Sequence, residues 1–437
     1  MYTTVDDWIQ QESIPFSVAS PESFNAAIGR VMASLGDSVE LLGFGEALHG
    51  GEDFLMLRNR LFQRLVETHG YSAIAIESSF PKGYVTNEYV AGHGSAAYDA
   101  VKEVGFSPGF GQLEANRELV EWMRQYNNDP AHPVKLHFYG FDSPTEMTYT
   151  DSPRQLLTFA LDTLSAMDPA SGDDYRRRLD PLIGEDAAWT NPAAMMDASQ
   201  SIGLSPQAAA LRVETENLIS ELIRRRPEFV EKSGQDRYLE AVQFASEARQ
   251  LLTYHAELAR DSEDRIARGL GLRDAIMAGN LAYIVSQERG RGKVFVFAHN
   301  SHLQRGKTLW QLGPHTLIWY PAGAHLKVML GLRYAVIGAA LGISPDNGIG
   351  QPEAGTLEAR LTAIPGPARF IPTHLGHGLP TPAIAALPLR SGSQRNFSYF
   401  PLTPQSVTDF DWWVILDSTT YQRGGPPLPE VDATPGG

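Results

Sequence analysis

The chain has 437 residues, of which 43% are hydrophobic and 20% charged, and this ordinary globular composition excludes a disordered or collagen-like protein. The 51 acidic residues outnumber the 36 basic ones, and the net charge of −15 argues against nonspecific binding to a nucleic acid. Because cysteine is absent, histidine, carboxylate or hydroxyl groups must carry any chemistry, without disulfides or cysteine-ligated metals.

The N-terminal region, residues 1–17, contains three acidic side chains and no apolar block of signal-peptide length. No later stretch approaches the run of about 20 apolar residues that crosses a bilayer. We therefore expect a cytoplasmic protein that acts on a small molecule, with neither a membrane nor a nucleic acid as partner.

Residues 1–150 are predicted to form the first part of an α/β core. A buried strand at 39–44 leads into a glycine-rich loop that contains His49, and apolar residues at helical spacing predict a helix over 53–69. A second buried strand at 73–76 runs directly into Glu77. Since a strand, a helix and a strand follow one another, we expect the two strands to pair in parallel.

The remaining chain is predicted to hold an all-helical insertion at 151–290, which acts as a lid, and the second part of the core at 291–423. Later strands are expected at 134–141, 294–297, 328–337 and 412–416. The tail at 424–437 has few apolar residues and is predicted to be disordered. The resulting fold class is α/β with a mixed or mostly parallel sheet.

Several candidate catalytic groups lie at or just beyond the ends of predicted strands, where ligands bind in parallel α/β sheets. They are Glu46, His49, Glu77, Asp142, His299 and His302. His49 follows Glu46 by three residues, and a neutral histidine held by a carboxylate suits a general base, because its ordinary pKa is about 6.5. The alternative is a turn histidine that is satisfied by local hydrogen bonds.

Arg58 and Glu77 are two charged residues in apolar surroundings. Arg58 lies on the apolar face of the predicted helix, and Glu77 ends an apolar strand, so a contact between them would satisfy both. Such a pair is either part of the catalytic site or a purely structural buried salt bridge.

The segment His299-Asn300-Ser301-His302 offers two histidines three residues apart. They could ligate a metal, donate to an oxyanion or orient a base, and the spacing alone does not decide between these roles. The chain has no GxSxG motif, which disfavours a covalent serine mechanism and favours activated water.

Two further groups have a structural and a functional interpretation. Arg273 shares one helical face with apolar residues, a pattern more typical of a packed surface than of a ligand contact. Bulky apolar residues near the end of the chain are expected either to line a hydrophobic pocket or to belong to the core. These residues are Phe397, Tyr399, Phe400 and Trp412.

Taken in order, these motifs resemble the erythromycin esterase family over about residues 35–340. They are Gly45-Glu46-Ala47-Leu48-His49-Gly50, Arg58, Glu77, Gly140-Phe141-Asp142, Arg273-Asp274 and His299-Asn300-Ser301-His302. The resemblance implies a three-layer α/β/α core with added helices and hydrolytic opening of a macrolide lactone. We expect no cofactor, and a divalent metal stays open as an alternative. Leu48 stands where the family motif usually has threonine.

The resemblance also implies roles for individual residues. His49 corresponds to the proposed general base, and the other residues of the catalytic set are Glu46, Glu77, Arg58, His299 and His302. We predict that Asp142, Arg273 and Asn300 bind the substrate.

The leading hypothesis is therefore hydrolysis of a macrolide-type lactone or related ester by water that His49 activates. Three alternatives stay open: elimination, cyclisation or epimerisation in natural product biosynthesis, a metal-dependent hydrolase, and a protein that only sequesters a bulky ligand.

Overall fold

The computed structural model describes residues 2–94, 97–145 and 150–428. The strands in this part of the chain are β1 (Ile14–Phe16), β2 (Leu41–Glu46), β3 (Tyr71–Ser79), β4 (His137–Asp142), β5 (Lys293–His299), β6 (Thr308–Leu312), β7 (His315–Trp319), β8 (Tyr334–Ile343), β9 (Ala368–Pro372) and β10 (Trp412–Ser418).

The α-helices of the described residues surround these strands and connect most of them. They are α1 (Val5–Glu12), α2 (Pro21–Leu35), α3 (Glu52–His69), α4 (Phe80–Val90), α5 (Glu114–Asn128), α6 (Arg154–Met167), α7 (Pro169–Ile183), α8 (Asp186–Trp189), α9 (Pro206–Arg224), α10 (Arg226–Ser233), α11 (Gln235–Leu258), α12 (Arg265–Glu288), α13 (Asn300–Leu303), α14 (Ala322–Leu330), α15 (Leu357–Thr362), α16 (Thr381–Ala385) and α17 (Ser406–Asp409).

Eight strands form one sheet in the order β1-β9-β10-β8-β2-β5-β3-β4. The six strands from β10 to β4 are parallel, whereas β9 runs antiparallel to both of its neighbours, and β6 and β7 form a separate hairpin. The predicted α/β fold with a mostly parallel sheet is confirmed. Strands β2 and β3 run parallel, but the expected direct pairing between them is not formed, because β5 lies between them and pairs with both. The carboxyl ends of β2, β5 and β3 therefore lie side by side.

Helices cover both faces of the sheet and bury two separate apolar cores. Helices α2, α3 and α5 pack on one face, and α1, α12, α14 and α15 pack on the other. Because each face of a parallel sheet is apolar, both must be covered, and the result is the expected three-layer arrangement.

The region between β4 and β5 contains helices joined by loops and, in its described part, no strand, as the sequence pattern predicted. Helices α6 to α11 bury an apolar core of their own. Helix α12 instead packs its apolar face against the sheet and so belongs to the covering layer as well. The lid role of the insertion stays a prediction.

The sequence patterns were wrong or silent at several elements. The predicted strand at 328–337 is half helix, because α14 continues to Leu330 and Gly331, with φ +58°, turns the chain into β8. The short edge strand β1, the antiparallel β9 and the half-exposed hairpin of β6 and β7 have no counterpart among the predicted strands.

Of the predicted disordered tail, residues 429–437 lie outside the described residues. No helix of the described chain has the length and apolarity that a bilayer crossing requires.

Candidate active site

The sheet brings carboxylates and histidines from distant parts of the chain to one edge. Glu46 is the last residue of β2 and pairs in register with His299, the last residue of β5. Glu77 lies near the end of β3, which pairs with β5 on the side opposite to β2. Since neighbouring parallel strands end at the same edge, these three side chains are brought together by the topology alone.

His49 lies in the loop after β2, with one ring nitrogen held and the other free. Its Nδ1 is 2.7 Å from Glu46 Oε1, and its Nε2 is 3.9 Å from Glu77 Oε1, which is too long for a hydrogen bond. Burial opposes the charged imidazole, but Glu77 and Glu46 outweigh burial and raise the pKa of His49 above its ordinary value. The side chain is 43% exposed.

Glu77 is a buried carboxylate that several positive or donating groups share. Its Oε1 lies 3.3 Å from His302 Nε2 and 3.4 Å from Arg273 Nη2, and its Oε2 accepts the backbone N–H of His299 at 2.9 Å. Burial raises the pKa of Glu77, but His302, His49 and Arg273 together hold it well below the ordinary value. Glu77 is therefore ionised at neutral pH.

His302 is held between two carboxylates. Its Nδ1 is 2.8 Å from Asp274 Oδ1, and its Nε2 faces Glu77. Burial would lower the pKa of His302, but Asp274 and Glu77 outweigh it and raise this pKa to about 10. His302 is thus a fixed imidazolium whose two N–H groups are both used within the protein.

His299 is the opposite case, a neutral histidine with both nitrogens engaged. Its Nε2 donates to the carbonyl oxygen of Ser398 at 2.9 Å, so that its Nδ1 accepts from the Ser301 hydroxyl at 2.6 Å; this tautomer is assigned from the partners. Burial, reinforced by the nearby His49, lowers the pKa of His299 to about 3. His299 therefore holds the loop that carries Ser398 and is a poor base.

Of the three histidines, His49 alone keeps a ring nitrogen that is free of a protein hydrogen bond in the described chain. His49 borders a cavity of about 280 Å³, here named the front cavity. Its walls are mostly apolar, and the lining residues are His49, Glu77, Leu270, Arg273, His299, Ser301, His302, Trp310, Trp319, Phe397, Ser398 and Phe400.

The expected contact between Arg58 and Glu77 is not formed. Arg58 instead donates to Asn59 Oδ1 and to the carbonyl oxygen of Ala115, and its guanidinium lies 5.0 Å from the centre of the Phe297 ring. Burial lowers the pKa of Arg58 to about 10. The cation that meets Glu77 is Arg273 of helix α12, which packs on the opposite face of the sheet from α3.

The predicted substrate-binding residues fall in different places. Arg273 lines the front cavity, and its Nε donates to Asp142 at 2.9 Å, so Asp142 holds the guanidinium in position. Asn300 Nδ2 donates to the carbonyl oxygen of Ala339, and Asn300 Oδ1 accepts the N–H of the same residue. The amide of Asn300 thus joins the start of α13 to β8. Neither Asp142 nor Asn300 is among the described residues that line the front cavity.

The site contains residues to which the sequence patterns gave no role. Asp274 holds His302, and it also accepts from Trp319 Nε1. Ser398 Oγ accepts the backbone N–H of His49 at 2.9 Å, so a loop near the end of the chain crosses the catalytic loop. Asp274 was visible only as the neighbour of Arg273, and nothing local distinguishes Ser398.

The aromatic residues near the chain end divide between site and core. Phe397 and Phe400 line the front cavity, whereas Tyr399 and Trp412 are buried in the apolar core. The pocket interpretation is therefore correct for Phe397 and Phe400, and the core interpretation is correct for Tyr399 and Trp412.

The side chains of the site that could bind a metal ion are the three histidines and the carboxylates near them. Among the described residues, no three His, Asp or Glu side chains are grouped so as to hold a metal ion. Both ring nitrogens of His299 and of His302 already contact protein atoms, which leaves His49 Nε2 as the imidazole donor with a free lone pair.

The sequence of the chain is similar to those of known esterases. The sequence profile named erythromycin esterase matches residues 66–419. The erythromycin esterase type II of Escherichia coli is 25% identical over 341 residues, which are 76% of each chain.

Solved structures share the fold. A Bacillus cereus protein has a TM-score of 0.74 at 17% identity and covers 98% of this chain and 100% of its own. A succinoglycan biosynthesis protein has a TM-score of 0.71 at 20% identity, over 96% and 97%. A mutant of the erythromycin esterase EreC in its open conformation has a TM-score of 0.64 at 19% identity, over 92% and 95%.

The protein is thus a carboxylic ester hydrolase built on a three-layer α/β/α fold. It belongs to the erythromycin esterase family, as the ordered motifs indicated.

Proposed function

We propose that the protein opens a macrolide-type lactone, or hydrolyses a related bulky ester, with water that His49 activates. The observation that carries the proposal is the free Nε2 of His49 at the front cavity, beside a Glu46 that holds Nδ1 at 2.7 Å. A carboxylate that fixes the tautomer and orientation of an imidazole is a recurrent device in general base catalysis.

In the proposed reaction, His49 Nε2 removes a proton from water while the water oxygen bonds to the ester carbonyl carbon. The carbonyl π electrons move to oxygen, and Arg273 stabilises this oxyanion, because its Nη1 makes no hydrogen bond in the described chain and its guanidinium borders the cavity. The tetrahedral intermediate then expels the alkoxide, which takes the proton back from His49, leaving a carboxylic acid and an alcohol.

The shape and polarity of the front cavity support a large apolar substrate. Leu270, Trp310, Trp319, Phe397 and Phe400 supply its walls, and Phe397 is 72% exposed at its edge. A volume of about 280 Å³ suits the ester-bearing part of a ring whose remainder lies outside. The Escherichia coli relative carries the name erythromycin esterase, which agrees with this substrate class.

Mass spectrometry of a panel of macrolides, smaller lactones and acyclic esters tests the function, with heat-inactivated protein as control. Hydrolysis adds the mass of one water, isomerisation adds nothing, and sequestration returns intact ligand. Loss of turnover on chelation, together with a bound metal by elemental analysis, would favour the metal-dependent alternative. A cytoplasmic location, a role in antibiotic resistance and a role in natural product biosynthesis stay predictions that accompany the proposal.

Replacing Ser301 by alanine is expected to leave kcat within about tenfold of the wild type. Ser301 forms a serine–histidine pair, but its partner His299 has a pKa of about 3 and so would accept the hydroxyl proton poorly. Steady-state kinetics measure the effect, and intact-protein mass spectrometry of quenched reactions searches for an acyl-enzyme. An adduct that disappears in Ser301→Ala, along with the activity, would establish the covalent route instead.

The activity is expected to rise with pH through a midpoint above 6.5, the ordinary pKa of histidine. The reaction needs neutral His49, and Glu77 and Glu46 raise the pKa of His49, so the base is protonated and inactive on the acid side. The pH profile of kcat/KM measures the midpoint. In Glu46→Gln the midpoint should move to lower pH, because a carboxylate that stabilises the imidazolium is gone; an unmoved midpoint would assign the titration to another group.

A further inference from the structure

A second, smaller cavity lies behind His49. It has a volume of about 60 Å³ and is here named the rear cavity; its lining residues are Glu46, His49, Gly50, Leu55, Arg58, Ile76, Glu77, Phe110, Leu113, Asn116, Phe297 and Gln422. His49 and Glu77 line both cavities, so these two side chains form the wall between front and rear.

Polar groups in the rear cavity are arranged for water. Asn116 is 2% exposed, and its Oδ1 is buried without a hydrogen-bond partner in the described chain. Arg58 donates through Nε and Nη2 but has no partner at Nη1 among the described residues, and Glu46 bonds His49 through Oε1 alone. One donor and two acceptors around a cavity of about 60 Å³ suit a few ordered water molecules.

The front cavity is poorly suited to keep the reacting water. Polar side chains such as His49, Glu77 and Arg273 border it, but most of its surface is apolar, and a bulky apolar substrate that fills it displaces the water there. Phe110 and Gln422, which line the rear cavity but not the front cavity, are partly exposed. Hydrolysis consumes one water per turnover, so a supply that is separate from the substrate keeps the site productive.

We propose that the rear cavity stores the reacting water and supplies it at the wall that His49 and Glu77 form, with Asn116 and Arg58 as positioning residues. His49 Nε2 and Glu77 Oε1 lie 3.9 Å apart, so one water beside them can hydrogen-bond to both and meets the base there. The inference rests on the proposed hydrolysis and adds where its nucleophile comes from.

Substitutions at Leu55, a buried wall residue of the rear cavity, test the proposal from both directions. Leu55→Phe fills the rear cavity, and we expect kcat to fall at least about tenfold with KM unchanged, since the front cavity is intact and only the nucleophile is displaced. Leu55→Met keeps the side-chain volume nearly constant, so this control variant should retain the wild-type kcat. A wild-type kcat in a folded Leu55→Phe protein would overturn the proposal.

The second measurement is the formation of a new product, which a misfolded protein would not make. Leu55→Ala enlarges the rear cavity, so with 1-propanol in the buffer the ratio of ring-opened propyl ester to acid should rise at least about threefold over the wild type. In this step the alcohol oxygen bonds to the carbonyl carbon, the ring C–O bond breaks, and the alcohol proton goes to the leaving oxygen. Leu270→Ala enlarges the front cavity as a matched control and should change KM but leave this ratio unchanged.

Two failures are distinguishable. If the wild type opens no ester of the panel, the proposed function is wrong and the inference falls with it. If the wild type hydrolyses but Leu55→Ala gives the wild-type propyl ester ratio, or Leu270→Ala gives the larger one, the water comes through the front cavity and the inference alone is wrong.

Discussion

His49→Ala is expected to lower kcat by about 10²–10⁴, the usual contribution of a positioned general base. The free energy of unfolding should change by less than about 1 kcal/mol, because the side chain is 43% exposed and makes its hydrogen bond to Glu46 at the edge of a cavity. Single-turnover kinetics measure the chemical step, and thermal unfolding measures the stability.

His93→Ala is a matched control, since His93 is an exposed histidine whose Nδ1 lies 3.4 Å from Glu88 Oε2. It should retain wild-type kcat. A folded His49→Ala protein with near-normal turnover would contradict the assignment of the base, and activity restored by added imidazole would strengthen it.

Glu77→Gln is expected to lower both activity and stability. The carboxylate faces Arg273 and His302 and accepts the N–H of His299, so its neutralisation leaves two buried cations without a shared counter-charge. Loss of one partner of a buried ion pair costs about 3–5 kcal/mol, which sets the expected fall in the free energy of unfolding. The kcat should fall at least about tenfold, because Glu77 stabilises the imidazolium that His49 becomes.

Glu288→Gln separates the two effects of Glu77→Gln. Glu288 is also a fully buried carboxylate with histidine, tyrosine and serine donors, but it is the last residue of α12 and contacts the starts of β3 and β4, away from the strand ends that carry the site. The Glu288→Gln variant should have a lower melting temperature and an unchanged kcat. If Glu77→Gln behaves in the same way, Glu77 is a structural ion-pair residue and takes no part in the chemistry.

Much of the site was predictable because it follows from topology. The strand patterns before Glu46, Glu77 and His299 place these residues at strand ends, and parallel pairing aligns those ends, so convergence needs no knowledge of side-chain packing. The pairing of Glu46 with His49 was predictable for a similar reason, since the two are three residues apart in one loop.

The partner of Glu77 was not predictable from local patterns. Arg58 and Arg273 both lie on faces of helices that pack on the sheet, but on opposite sides of it: α3 covers one face and α12 the other. Which of them reaches Glu77 depends on how the helices cross the strand ends, and long-range packing sets this geometry. Arg273 makes the contact, at 3.4 Å.

The sequence by itself determined the α/β class, the strand ends that carry the site and the family, because these depend on periodicity and on residues in a fixed order. Only the tertiary structure decided the states of the histidines: His302 is charged between two carboxylates, His299 is neutral, and His49 keeps a free nitrogen. The physical reason is that protonation follows burial and nearby charge, and the groups that supply these come together only when the chain has folded.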